Sequence, residues 1–194
     1  MTETTRVLVV PGLWNSGPQH WQSVWSAAET GFRREEQAEW EAPARQDWVA
    51  ALEVAVAAAG PQVVVAAHSL GCVTVAHWAA ESGLTIRGAF LVAPSDVDGL
   101  IYPKGPTGFL PMPMAALPFP SILVSSEDDP WSSPAAPGRW PTPGAAGSST
   151  SVPPDTSTRR AAMVRGRRDG SCWTSYWVDA DVAPDLRYGL SLFR

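Results

Sequence analysis

The sequence predicts a doubly wound α/β fold with a mostly parallel sheet, and three observations lead there. Short, continuously apolar runs recur along the chain: "RVLVV", "QVVVAA", "GAFLV" and "SILV". Strands that read apolar on both faces belong to sheets covered by helices on both sides. Between the runs lie segments with helical spacing, so strands and helices alternate as in βαβ units.

Residues 6–12, "RVLVVPG", are a β-branched run closed by Pro11-Gly12, a buried strand followed by a sharp loop. "QHWQSVWSAAE" sets Trp21, Val24, Trp25 and Ala28 at helical spacing, and "RREEQAEW" reads as an edge strand. "RQDWVAALEVAVAAAG" is a helix that Asp47 can cap and Gly60-Pro61 stops, with Trp48, Leu52, Ala55 and Ala59 on one face. "QVVVAA" is the next buried strand and "GCVTVAHWAAES" the next helix. "RGAFLVAP" and "PSILVSS" are two more strands. The loop between them, residues 94–120, is rich in Pro and Gly and long enough to cover a site.

The chain changes character near residue 131. Residues 1–131 carry a net charge of −8 and residues 132–194 a net of +3, which give the −5 of the whole chain. Leu, Ile, Val and Phe supply 32 of the first 131 residues but 8 of the last 63, too sparse for that part to build its own core. The division expected is an incomplete α/β domain over 1–131 and a low-complexity, poorly ordered tail over 132–194. The tail would leave the sheet without its last strand and helix.

An acidic chain is a poor partner for nucleic acid or an anionic membrane, since both are polyanions. The start, "MTETTR", has no apolar leader segment, and no apolar run reaches bilayer length. Two cysteines, Cys72 and Cys172, are too few for a disulfide framework. A buried free thiol in the cytoplasm is the expectation, and a thiol enzyme through Cys72 lacks a visible base. No metal-ligand spacing or phosphate loop occurs, so no cofactor is expected. The partner expected is a small-molecule substrate.

The informative stretch is Ala67-His68-Ser69-Leu70-Gly71, set between a strand and a helix. That is the setting of a nucleophile elbow, where a serine sits in a strained turn with its hydroxyl aimed out of the sheet edge. Ala67 stands where G-x-S-x-G has its first glycine. The Leu70 amide at the helix start would face a developing oxyanion, with a second donor from "PGLWNSG" at Leu13 or Trp14. The plainer alternative is a serine that merely caps the helix. Tyr102, Phe109, Met112, Met114 and Phe119 in the long loop suggest a small apolar acyl or ester group, with His20 and Phe109 as substrate-binding candidates.

Together "VVPGLWNSGPQHWQ", "AHSLG" and "SSEDDPW" resemble the small α/β-hydrolases related to retinoblastoma-binding protein 9, over about residues 5–131. The resemblance implies a Ser-His-Asp serine hydrolase with Ser69 as nucleophile and Asp129 as the acid, Asp128 being the competing choice. Such an acid orients the histidine and stabilises its imidazolium. The family's histidine follows the last strand in a Gly-His motif. This chain has three histidines, His20, His68 and His77, all before Asp129. His68 should point away from the serine, His77 reads as a packed or surface residue, and His20 as a helix cap or a site-lining residue, with a replacement base for Ser69 as the lesser alternative.

The genetic code offers a reason. Read in the frame that begins at each third base, "PPDTST" (residues 153–158) can encode Gly-His-Ile-Asn. In the same frame "RWPTPG" can encode Leu-Ala-Asp-Ala-Trp, "GSSTSV" Phe-Val-Asp-Val-Gly, and "GSCWTSYW" an amphipathic Glu-Leu-Leu-Asp-Glu-Leu-Leu. A single-base frame change near residues 132–138 would explain both the tail and the lost base. The expected function is serine hydrolysis of small ester-like substrates, impaired in this chain. The alternative is a non-catalytic binding protein that keeps the pocket.

Overall fold

The computed structural model describes residues 5–126, 148–152, 161–164 and 176–179. The chain runs β1 (Val7–Val10), α1 (Trp21–Ala28), β2 (Phe32–Arg34), α2 (Arg45–Ala59), β3 (Val64–His68), α3 (Leu70–Glu81), β4 (Gly88–Val92), β5 (Ser121–Ser126) and β6 (Ser148–Val152). These six strands form one sheet in the order β2-β1-β3-β4-β5-β6, with every pair parallel. A separate antiparallel pair joins β7 (Ala161–Val164) to β8 (Tyr176–Asp179). Among the described residues no helix is long and apolar enough to cross a membrane.

The doubly wound fold expected from the apolar runs is the one observed. Alternation within each strand divides the core between two faces. Leu8 and Val10 of β1 pack with Val65 and Ala67 of β3 against Leu52 and Val56 of α2 and Val75 and Trp78 of α3. Val7 and Val9 pack with Val64 and Ala66 against Trp21 and Trp25 of α1. The Trp25 and Phe90 rings stack at 6.1 Å, and Trp21 meets Trp25 edge-on at 4.6 Å. Trp21 and Trp25 are therefore core residues, while Trp14 is largely exposed.

Three local expectations need correction. The edge strand is Phe32–Arg34, and the chain has left it before Glu35, short of the full "RREEQAEW". The helix α2 begins one turn's fraction earlier than Asp47 would cap it. Its N-cap is Ala44, with no side-chain cap, and Asp47 lies in the first turn, where its charge suits the helix dipole. The cap's work falls to the long loop: the Arg45 N–H donates to the Thr107 carbonyl at 2.9 Å, and the Thr107 N–H to the Pro43 carbonyl at 2.8 Å. A backbone cap from Thr107, 62 positions beyond Arg45, leaves no local sequence signature.

The third correction concerns the sheet's far edge. The tail was expected to leave β5 uncovered, but β6 pairs with it in parallel from Ile122↔Ser148 to Ser126↔Val152. Its sequence, "SSTSV", is polar and short. Pairing with an existing edge supplies backbone hydrogen bonds that apolar patterning would not reveal.

Where the chain crosses from β2 over to β3, the order of the sheet reverses at β1. The crevice beyond the ends of β1 and β3 is a topological switch point, the place where such sheets bind ligands. Gln22, fully buried on α1, ties it together. Its Nε2 donates to the Val10 carbonyl at 2.9 Å and to the Ala66 carbonyl at 3.0 Å, and its Oε1 accepts from Ser16 Oγ at 2.7 Å. Replacing Gln22 by Leu strands three buried polar groups. We expect a loss of about 3 kcal/mol in urea unfolding with an unchanged m-value; a loss below about 1 kcal/mol would show that the brace is dispensable.

Candidate active site

Ser69 joins β3 to α3 with φ 53° and ψ −123°, a left-handed conformation that an L-residue with a side chain rarely adopts. Its side chain makes no capping hydrogen bond to α3. The plain capping role is thereby excluded: capping needs an extended residue whose oxygen takes an N–H of the first turn. Instead, Ser69 Oγ lies 2.9 Å from Ser95 Oγ.

The strain is held by close approach. A methyl group at Gly12 would fall 2.7 Å from Ser69 Cβ and 3.2 Å from its Oγ. One at Gly71 would fall 2.5 Å from the Pro11 carbonyl oxygen and 2.6 Å from that of Val10. The loop leaving β1 and the elbow leaving β3 thus interlock through two positions where only glycine fits. Among the described residues, the non-glycine residues with positive φ are Trp14, Asn15, Ser69 and Ala93. All four lie just beyond the C-terminal ends of β1, β3 and β4. Strain gathered at one crevice is the pattern of a functional site.

The structure separates the two candidate amides of the β1 loop. The Trp14 N–H donates to the Trp40 carbonyl at 2.8 Å, so Trp14 is corrected as an oxyanion donor. The Leu13 N–H, one residue past Gly12, has no hydrogen-bond acceptor among the described residues. Leu70 is the first residue of α3, so its N–H has no partner within the helix. The loop is fixed on its other side by Arg34, which donates to Ser23 Oγ at 3.0 Å, to the Ser16 carbonyl at 3.1 Å and to Asn15 Oδ1.

The histidines occupy other posts. His20 is the N-cap of α1, with its Nδ1 accepting from the Gln22 N–H at 3.3 Å. That bond uses the Nδ1 lone pair and places the proton of the neutral ring on Nε2, so His20 as held is no base for Ser69. Its ring meets the His68 ring edge-on at 4.6 Å. Burial, with the nearby Arg34 charge, lowers His20 to about 4, and burial, with His20 beside it, lowers His68 to about 3. His77 is packed inside, with its Nε2 2.9 Å from the Phe109 carbonyl. It pins the long loop to α3.

Phe109 is corrected as a direct substrate contact. It is 2% exposed and packs with Trp48, Leu70, Val73 and Val97, with Leu13, Tyr102 and Met112 against the cluster. It supports the residues that carry the two free amides. Ser95 was missed by sequence reasoning. Its signal was positional, since it follows a parallel strand next to β3, where such sheets place their site residues. Asp129, Asp128 and the whole "EDDP" stretch lie outside the described residues. Among the described residues no cluster of His, Cys, Asp and Glu could hold a metal ion.

The family model for serine hydrolases matches residues 7–144. A YdeN-like hydrolase from Pectobacterium atrosepticum superposes with a TM-score of 0.62 at 24% identity, covering 76% of each chain. The ydeN gene product of B. subtilis gives 0.47 at 17% identity, over 65% of this chain and 73% of that one. An α/β-superfamily hydrolase from Xanthomonas campestris pv. campestris gives 0.46 at 18%, over 76% and 87%. No curated protein matches the chain.

Two outcomes follow from the geometry. Gly71→Ala should cost about 2–3 kcal/mol, because the new methyl meets backbone on both sides, whereas Gly17→Ala, with open space around it, should be neutral in the same thermal melts. Stability should also fall with acid. His20 and His68 stay neutral in the fold while the unfolded chain takes up protons below about 6.5, so their contribution is complete above that pH and is lost toward 4 and 3. The lowered His77 acts in the same sense, while Glu35, raised to about 7 by burial, acts in the opposite one. His20→Asn keeps a cap acceptor and removes one titration, so its melting temperature should drop less between pH 7 and pH 4; an equal drop contradicts the assignment.

Proposed function

The chain belongs to the serine hydrolase family, and we propose that it descends from an enzyme in which Ser69 attacks small, apolar, ester-like acyl groups. The observation that carries this reading is the uncapped, strained Ser69 at the strand–helix elbow, held by Gly12 and Gly71. In the reaction Ser69 Oγ would add to the carbonyl carbon and its proton would pass to a base. The carbonyl oxygen would gather charge toward the Leu13 and Leu70 amides. The leaving group would take the proton, and water would release the acyl group by the same steps in reverse.

The substrate class rests on the surroundings. The amide-bearing residues Leu13 and Leu70 send their side chains into one apolar cluster, and the loop carries exposed Leu110 and Met114. The resemblance of "SSEDDPW" to the hydrolases related to retinoblastoma-binding protein 9 implies Asp129 as the acid, and the reading adopts it. The buried thiol of Cys72, which donates to the Val92 carbonyl and is pushed upward by burial, suits a reducing cytoplasm.

The base is the missing part, and the reading includes its loss through a frame change. The Gly-His that the alternative frame can encode falls at positions 154–155, directly after β6 ends at Val152. The same frame can encode Phe-Val-Asp-Val-Gly over positions 147–151, which overlap β6. Without its histidine a triad loses several decades of rate, though oxyanion donors alone retain a small activity.

Hydrolysis of p-nitrophenyl acetate and butyrate tests the reading. We expect slow turnover that Ser69→Ala reduces to background, and at least about a 10³-fold gain in a chain translated from the alternative frame. Activity unchanged in Ser69→Ala would overturn it. A folded chain that is inert in both frames would favour the binding protein instead.

A further inference from the structure

Ser95 stands apart from everything the elbow itself explains. The residue is buried, its hydroxyl lies 2.9 Å from Ser69 Oγ, and its N–H points to the Ser69 carbonyl at 3.4 Å. It is brought there by an unusual exit from β4. Ala93 adopts φ +47°, while its N–H holds the Val124 carbonyl at 2.7 Å, so the chain turns sharply just past the strand. An alanine in the left-handed region costs about 1–2 kcal/mol, which the fold tolerates here and not along ordinary loops. Two strained turns on adjacent strands, β3 and β4, therefore meet hydroxyl to hydroxyl.

We propose that Ser95 is a positioning residue for Ser69. It holds the Oγ of Ser69 in one rotamer at the crevice and donates to that oxygen as its own proton departs. Ser69 has no other side-chain hydrogen-bond partner among the described residues. Without this bond, the hydroxyl on a strained backbone is free to turn among its staggered rotamers. A hydrogen bond that strengthens as charge develops on Oγ speeds attack without tightening the binding of a ligand.

The inference rests on Ser69 being the nucleophile, and the test separates the two. A fluorophosphonate probe forms an Oγ–P bond at the serine as fluoride leaves and the serine proton passes to solvent or buffer. Intact-mass spectrometry follows that labelling in the full chain, over a series of probe concentrations. We expect Ser95→Ala to lower the saturating labelling rate about tenfold. The half-saturating concentration and the melting temperature should be unchanged. Ser95→Thr, which keeps the hydroxyl, should restore most of the rate. Equal rates for the wild type and Ser95→Ala overturn the positioning role while leaving Ser69 as nucleophile. A fall that Ser95→Thr does not restore, or one accompanied by a lowered melting temperature, also overturns it, since packing would then be the cause. Labelling that persists in Ser69→Ala, or that is absent from the wild type, overturns both readings together.

Discussion

The contact on which the rest depends is the interlock of the β1 exit with the β3 elbow. Gly12 lies against Ser69 Cβ, and Gly71 lies against the carbonyls of Val10 and Pro11. Neither position admits a methyl group. The two parallel strands can therefore discharge their chains into the same small volume, and Ser69 is forced out of the ordinary regions of backbone space. The sheet order makes the crevice, since it reverses at β1. The glycines let two chain segments share it.

Strain of this kind persists only where surrounding structure over-determines it. Here the supports come from both faces of the sheet. On one side Gln22 clamps the ends of β1 and β3, and Arg34 ties down the loop that carries Leu13. On the other, His77 and the Pro43–Thr107 pairing fasten the long loop to the body of α3 and the start of α2. Trp48 and Phe109 meet edge-on at 6.1 Å beneath Leu70 and Leu13. Buried polar groups with all their partners in place fix geometry in a way that apolar packing alone does not.

How much of this was legible in the sequence follows from the range of each interaction. Strand and helix identity came from local patterning: "RVLVVPG" contains the strand Val7–Val10, and "QVVVAA" contains all of Val64–His68 but its last residue. The elbow was legible because strand, small residue, serine and glycine stand together in five residues. Ser95 was not, because 26 residues separate it from Ser69 and only the sheet order joins them. The Trp14 amide looked as good a donor as Leu13 until Trp40, from a distant loop, was found to accept it. The α2 cap and the polar strand β6 escaped for the same reason: both are made by backbone partners remote in the chain, which side-chain patterns do not encode. Phe109 was read as a contact for ligand because aromatic residues in loops often are, while its burial against Trp48 is a tertiary fact.

The most direct measurement is a crystal structure of the chain after reaction with a small alkyl boronic acid, which forms a tetrahedral adduct with an activated serine. The account predicts a bond from boron to Ser69 Oγ, with one boronate oxygen about 2.7–3.1 Å from both the Leu13 and Leu70 amide nitrogens. An adduct on another residue, or one on Ser69 whose oxygens face away from those two amides, would contradict it.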